Sequence, residues 1–253
     1  MLRWFRADLH VHTCLSPCGE LEMSPRRIVE EARRRELDLI AITDHNSAEN
    51  AAAVLRAAEG TTVGVLPGLE VCSNEEVHVL ALFDALSPAF ELQEAVYRSI
   101  SAENDPDAFG LQVIANEHDE VEGFQHRLLI GATDMTIDDV VRRIHDLNGL
   151  AVASHVDRES FGIIGQLGFI PRTLRFDALE ISGSASAEES GRLFREYAMY
   201  EFIRSSDAHA PGDIGKGTTS FLIEAPTCEE LRKAFRREGG RRVAVQNAGA
   251  VGQ

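Results

Sequence analysis

The residues best able to do chemistry are histidines and carboxylates at short, regular spacings. In Asp8-Leu9-His10-Val11-His12-Thr13, His10 and His12 are separated by one residue. On a strand, period-two alternation puts both imidazoles on one face, and two imidazoles aimed at one point suit Zn, Mn or Fe. Ser206-Asp207-Ala208-His209 repeats that spacing with a carboxylate. Asp44-His45 directly follows the apolar run Leu39-Ile40-Ala41-Ile42-Thr43. There His45 reads as a ligand candidate, while Asp44 also reads as the cap of a helix starting near Ser47. Glu70, between Leu69 and Val71, needs a partner or a cation if it is buried; a bridging carboxylate is a common way to hold two cations close together. His78 and His155 each stand alone in an apolar run, and singly each also reads as a hydrogen-bonded core histidine. Of nine histidines, six sit at strands or strand ends. With Glu70 and Asp207 they form a set that few purely structural accounts require.

The elements that must position them alternate between strand-like and helix-like segments, which predicts a parallel α/β fold. Strands are expected over 6–12, 37–43, 62–71, 77–83, 111–115, 150–154, 178–181 and 201–205. Ser24-Pro25 reads as a helix start, as do Thr136 with Asp139, Ser186 with Glu189, and Thr227 with Glu230. Further helices are expected over 47–59 and 87–101. Residues 102–135 read as an insertion or small subdomain in an otherwise single domain over 1–253, with 116–123 an acidic loop that is solvated or acts as a lid. The chemical residues fall at the ends of the apolar runs, where barrels of parallel strands gather their catalytic groups.

The 253 residues can build one core of ordinary density. A formal net charge of −16 argues against long nucleic acid as a partner and leaves small anionic substrates, because bound divalent ions dominate the charge of a site. The four cysteines show no disulfide framework, no signal peptide is evident at the N-terminus, and no apolar run approaches a membrane span. A cytoplasmic location with no membrane association is expected.

The motifs Asp8-Leu9-His10-Val11-His12-Thr13, Thr43-Asp44-His45, Pro67-Gly68-Leu69-Glu70, His78, His155 and Ser206-Asp207-Ala208-His209 together resemble those of the PHP (polymerase and histidinol phosphatase) superfamily. The resemblance implies a distorted (β/α)7 TIM-like barrel with a small insertion, holding two or three divalent metal ions (Mn, Fe or Zn). It implies one ion on His10, His12, Glu70 and Asp207, and a second on Glu70, His78 and His155. A third would lie on His45 and His209 with one more ligand, where the family usually carries His or Asp. This sequence has Cys18 there, so either Cys18 binds a softer metal or the third site is weak or empty. Cys14 is a poorer substitute.

The activity expected is metal-dependent hydrolysis of a small phosphomonoester, such as a nucleotide or nucleoside bisphosphate, by a metal-activated hydroxide. Arg158 is the candidate phosphate clamp, with pairing to Asp157 or Glu159 as its alternative. Asp207 or His209 would protonate the leaving group; Lys216 reads better as an exposed turn residue. The alternatives are an exonuclease on short oligonucleotides and a non-catalytic metal-binding regulatory module. The related amidohydrolases usually carry a bridging lysine on a middle strand, whereas the only lysines here are Lys216 and Lys233. His118, His126 and His145 fit no ligand spacing.

Overall fold

The computed structural model describes residues 1–245. Its first half alternates strands and helices: β1 (Arg3–Val11), α1 (Pro25–Arg34), β2 (Leu39–Ile42), α2 (Ala51–Ala57), β3 (Gly64–Cys72), β4 (His78–Leu82) and α3 (Leu86–Arg98). The 102–135 segment holds a short helix, α4 (Pro106–Phe109), and a hairpin of β5 (Val113–Ala115) with β6 (Val121–Phe124). Then come α5 (Ile137–Asp146), β7 (Leu150–Ala153), α6 (Ile163–Leu167), β8 (Ala178–Glu180), α7 (Ala187–Glu196), β9 (Glu201–Ile203), β10 (Thr219–Ile223), α8 (Cys228–Phe235) and β11 (Arg242–Val245).

Nine strands form one sheet in the order β11-β10-β1-β2-β3-β4-β7-β8-β9. The sheet curls until its ends meet. His12 N donates to Ala208 O at 3.0 Å, Ala208 N donates to His10 O, and Thr219 Oγ1 bonds both the N–H and the carbonyl of Arg204. The barrel is therefore nearly closed between β1 and the segment after β9.

The sheet is not wholly parallel. β4 runs antiparallel to both β3 and β7, with Cys72 opposite His78. Only residues 73–77 connect β3 to β4, too few for a crossover, so the chain turns straight back. The reversal brings the first residue of β4, His78, to the barrel end reached by the last residues of β3.

Side-chain alternation layers the interior. Leu66 and Glu70 share one face of β3, as do Leu82, Leu80 and His78 on β4, and Ala178 and Glu180 on β8. Leu66, Leu80, Leu82, Leu150, Val152 and Ala178 belong to one buried apolar cluster with Phe5, Ala7 and Leu9. Polar residues stand above this apolar plug. In β1 the pairing with β2 shifts register between Asp8 and Val11. Ala7 and Leu9 pack in the plug, whereas Val11 joins the second cluster beneath the helices. A register shift of this kind re-aims the side chains around it, and His10 lies within it and His12 just beyond it.

Several local readings need correction. The expected loop at 116–123 contains the start of β6, and it is pinned: Asp119 Oδ1 accepts from Arg26 N, and Arg56 pairs with Glu117. Asp119 thereby caps α1, while the Ser24 side chain makes no cap bond. The helix expected from Ser47 begins at Ala51. Thr136, Ser186 and Thr227 do cap their helices, accepting from the N–H groups of Asp139, Glu189 and Glu230. Among the described residues, no helix is long and apolar enough to cross a membrane.

Candidate active site

The structure brings His10, His12, His45, Glu70, His78, His155, Asp207 and His209 together at one barrel end, with Cys18 and Arg158 at the rim. Glu70 is at the centre, 1 % exposed. Its Oε1 lies 3.0 Å from His78 Nδ1, 3.2 Å from His10 Nε2 and 3.3 Å from His155 Nε2. Its Oε2 lies 2.9 Å from His45 Nδ1. Asp207 Oδ1 is 3.2 Å from His12 Nε2 and 3.3 Å from His10 Nε2. The His12 and His209 rings stack with centroids 4.1 Å apart.

These close approaches leave atoms without directed hydrogen bonds. Both Glu70 oxygens, His45 Nδ1, both His78 nitrogens and His155 Nδ1 are buried with no hydrogen-bond partner. Buried polar atoms are ordinarily satisfied, and a cluster of exceptions calls for a reason. Imidazole nitrogens and carboxylate oxygens converging on shared space are the donor set of Zn, Mn or Fe. Three overlapping trios could each hold an ion: His10, His12 and Glu70; His45, Glu70 and His78; and His12, His45 and His209, with the ligand atoms of each trio within 4.8 Å of one another. Asp207 borders the first trio and His155 the second. The tight trio around His78 takes His45, where the expected set had His155.

The charge states fit that use. Burial disfavours the charged form of Glu70, but His78 and His10 outweigh it and hold the carboxyl well below its usual range. Burial likewise disfavours charge on His10, which Glu180, Asp207 and Glu70 reverse, raising its pKa. Burial, then the neighbouring His209 and His45, push His12 down. A crowded set of imidazoles cannot all be protonated, and metals bind the neutral form.

Surrounding groups fix this set. Glu180 Oε2 bonds His10 Nδ1 at 2.9 Å and accepts from His155 N at 3.1 Å, orienting two candidate ligands at once. Asp44 is no helix cap. It is fully buried and accepts from Thr13 N, Thr13 Oγ1 and Ser16 Oγ, and Ser16 in turn bonds His12 Nδ1. Asp8 accepts from Ser206 N and Gly215 N, anchoring the Asp207 segment. That segment runs tight: a Cβ on Gly217 would meet Ser205 O at 2.0 Å, so only glycine passes there. Asp207 and His155 both adopt positive φ, 53° and 26°. Strained backbone of this kind clusters at functional sites.

Arg158 pairs with Asp207 Oδ2 at 2.7 Å, not with Asp157 or Glu159; its side chain is 42 % exposed at the mouth. Cys18 is exposed at the rim, near enough to His45 and His209 for both imidazoles to act on its thiol, but it joins none of the three trios. Desolvation raises the thiol, but those two imidazoles outweigh it and bring the pKa down to about 6. Cys14 is buried away from the cluster against Val113 O. Lys216 pairs with Asp213, and His145 with Asp177, both outside the site. Glu180 was missed in the sequence; its one signal is a carboxylate at the end of an apolar run, as for Glu70.

Comparison with known proteins agrees with this geometry. The PHP domain family matches residues 8–200, and the PHP-associated family matches 191–238. No curated protein matches. Among solved structures, the lesion-specific endonuclease PfuEndoQ from Pyrococcus furiosus superposes with a TM-score of 0.74 at 21% identity. Endonuclease Q in complex with a 27-mer duplex bearing an abasic lesion gives 0.72 at 19%. Each match covers 95% of this chain and 58% of the endonuclease, so the chain spans little over half of that protein's length. A structure from Bifidobacterium adolescentis assigned as a metal-dependent phosphoesterase gives 0.56 at 18%, covering 90% of this chain and 94% of the other. With the family model matching three quarters of its length and a convergent His/Glu/Asp site, the chain belongs to the PHP domain family.

Proposed function

We propose that this protein hydrolyses a phosphomonoester on a small molecule, a nucleotide, nucleoside bisphosphate or similar, using two or three divalent ions (Mn, Fe or Zn). The observation that carries the reading is the set of buried, unpartnered Glu70, His45, His78 and His155 atoms converging beneath a half-exposed arginine. His10, His12, Glu70, Asp207, His45, His78, His155 and His209 would hold the ions, with Cys18 completing a third, softer site beside His45 and His209. Bound there, such ions supply Lewis acidity and an activated water at neutral pH. Arg158 exchanges its pairing with Asp207 for a substrate phosphoryl group, whose geometry a guanidinium matches bidentately. Asp207 or His209, whichever is not engaged by an ion, would give a proton to the leaving oxygen. The four cysteines are all free, which supports a reducing, cytoplasmic setting.

The small substrate is favoured by the surroundings of the mouth. Glu20 N donates to His209 O, so the exposed Glu20 stands beside the site in a chain of net charge −16. A duplex carries many more phosphates into that repulsive field than a small ester does. The likeness to endonuclease Q over 95% of this chain favours a second reading, cleavage of lesion-bearing DNA, and weighs against setting long nucleic acid aside. One panel separates them: phosphate release from nucleotides, bisphosphates and sugar phosphates, alongside cleavage of an end-labelled duplex with an abasic site. Turnover of a small ester with an intact duplex supports the first reading; a cut duplex with no phosphate release overturns it.

A further inference from the structure

A second basic site lies at the opposite end of the barrel. Asn148 and Gly149 precede β7, Asp177 precedes β8 and Glu201 opens β9, so these residues mark the end away from His155 and Asp207. They line a cleft of about 840 Å³, within the size range of small-molecule pockets. Four arginines surround it: Arg175, Arg232, Arg236 and Arg237. In a chain carrying 41 acidic and 25 basic residues, this reverses the local charge.

The arginines divide into two pairs. Arg232 is spent on structure, donating to Asn148 O and Gly149 O in the turn between α5 and β7 and pairing with Glu229. Arg237 pairs with Glu201. The acidic side of the cleft is occupied too, since Asp177 accepts from His145 and from Ala151 N. Arg175 and Arg236 have no ion pair or side-chain hydrogen bond among the described residues, and both are exposed on the cleft. A helix C-terminus accounts for Arg236, which caps α8. It does not account for Arg175, which comes from the α6–β8 connection. Two free guanidiniums from distant parts of the chain, with Arg232 locked between carbonyls in the same wall, suit adjacent phosphate groups better than a single carboxylate.

We infer that this cleft is a second anion site, distinct from the metal cluster, for a small ligand carrying two or more adjacent phosphates. Inorganic diphosphate or the phosphate chain of a nucleotide supplies the same chemistry. The probes are methylenediphosphonate and the β,γ-methylene analogue of adenosine triphosphate, neither cleavable at the bridging carbon. Equilibrium dialysis against the metal-loaded protein measures binding to the parent, to Arg175→Gln/Arg236→Gln and to Arg158→Gln. Beyond any equivalent held at the metal cluster, the expected result is one that survives Arg158→Gln and weakens at least about tenfold in the double variant, since each charge-assisted bond is worth that much. Met199→Asp keeps both arginines and adds a negative charge to the cleft from a residue 63% exposed; it weakens binding as well. Binding of both probes assigns recognition to the phosphates, and binding of the nucleotide analogue alone adds the base. Unchanged binding in the double variant and in Met199→Asp, or loss of all binding with Arg158→Gln, overturns the site.

Discussion

The two ends of one barrel interior obey opposite rules. Below, Leu66, Leu80, Leu82, Leu150 and Val152 pack into an apolar plug with no polar atom to satisfy. Above, on the same faces of the same strands, Glu70, His78 and Glu180 are as deeply buried, and they leave oxygens and nitrogens without hydrogen bonds. The lower layer lowers the free energy of the folded chain through burial. The upper layer costs stability and is held by its surroundings: the Glu180 bonds, the Asp44 bonds, the Asp8 anchor and two positive-φ residues. The contrast shows where the fold is self-sufficient and where it is built for something else to bind.

That contrast can be broken from either end. The largest effect is expected at the mouth. Asp207→Ala removes a candidate ligand and the partner of Arg158, and phosphate release should fall by about 10³-fold or more, a loss of about 4 kcal/mol in barrier terms. Circular dichroism should show the fold retained. At the other end, Leu80→Ala opens a cavity in the plug and should cost about 2–5 kcal/mol in denaturant unfolding. Its metal content should stay that of the parent, because the ligand layer is untouched. If Leu80→Ala instead empties the site at temperatures where the fold persists, the two layers are not independent.

A chelator should act only on the upper layer. Stripping ions removes the linkage stabilisation, about 2.7 kcal/mol at a free metal concentration of 100 times Kd, and lowers the thermal midpoint accordingly. Glu180→Gln keeps the volume and weakens the orientation of His10 and His155. Metal affinity should drop about 10–100-fold in a titration, with turnover restored at high metal concentration.

The smallest effect belongs to an ion-pair clamp far from the mouth. Glu230 accepts from Arg241, with Glu224 N and Lys233 also contributing, and these partners bring its pKa from 4.5 down to about 2. With the folded value below the unfolded one, the stabilisation is complete above about pH 4.5 and is lost as pH falls through about 2. Glu230→Gln should cost about 1 kcal/mol at neutral pH and flatten that acid limb in urea titrations between pH 2 and 5.

Much of the upper layer was legible because metal ligands carry a spacing signal. His10 and His12 announce one face of a strand, Asp207 and His209 do the same, and Glu70 stands out among apolar neighbours. What was not legible follows from pairing. The reversal of β4 is set by the short 73–77 link, a cue hidden by the surrounding α/β alternation. The bulge between Asp8 and Val11 is a relation between two strands that neither shows alone. β10 alternates in burial, but Phe221, Leu222 and Ile223 run together as apolar residues and hide it, and β11 is exposed or half-buried throughout. Asp44 and Glu180 look like ordinary strand-end charges until the loops and rings they hold are seen in place.

The most direct test of the account is the metal content of the reconstituted protein beside that of Glu70→Gln, measured by elemental analysis after gel filtration. Glu70 lies within 4 Å of five imidazoles, those of His10, His12, His45, His78 and His155. Two or three ions per chain are expected in the parent, and loss of at least one ion together with phosphate release in the variant. A parent that retains no metal, or a Glu70→Gln protein with full metal content and full turnover, would contradict it.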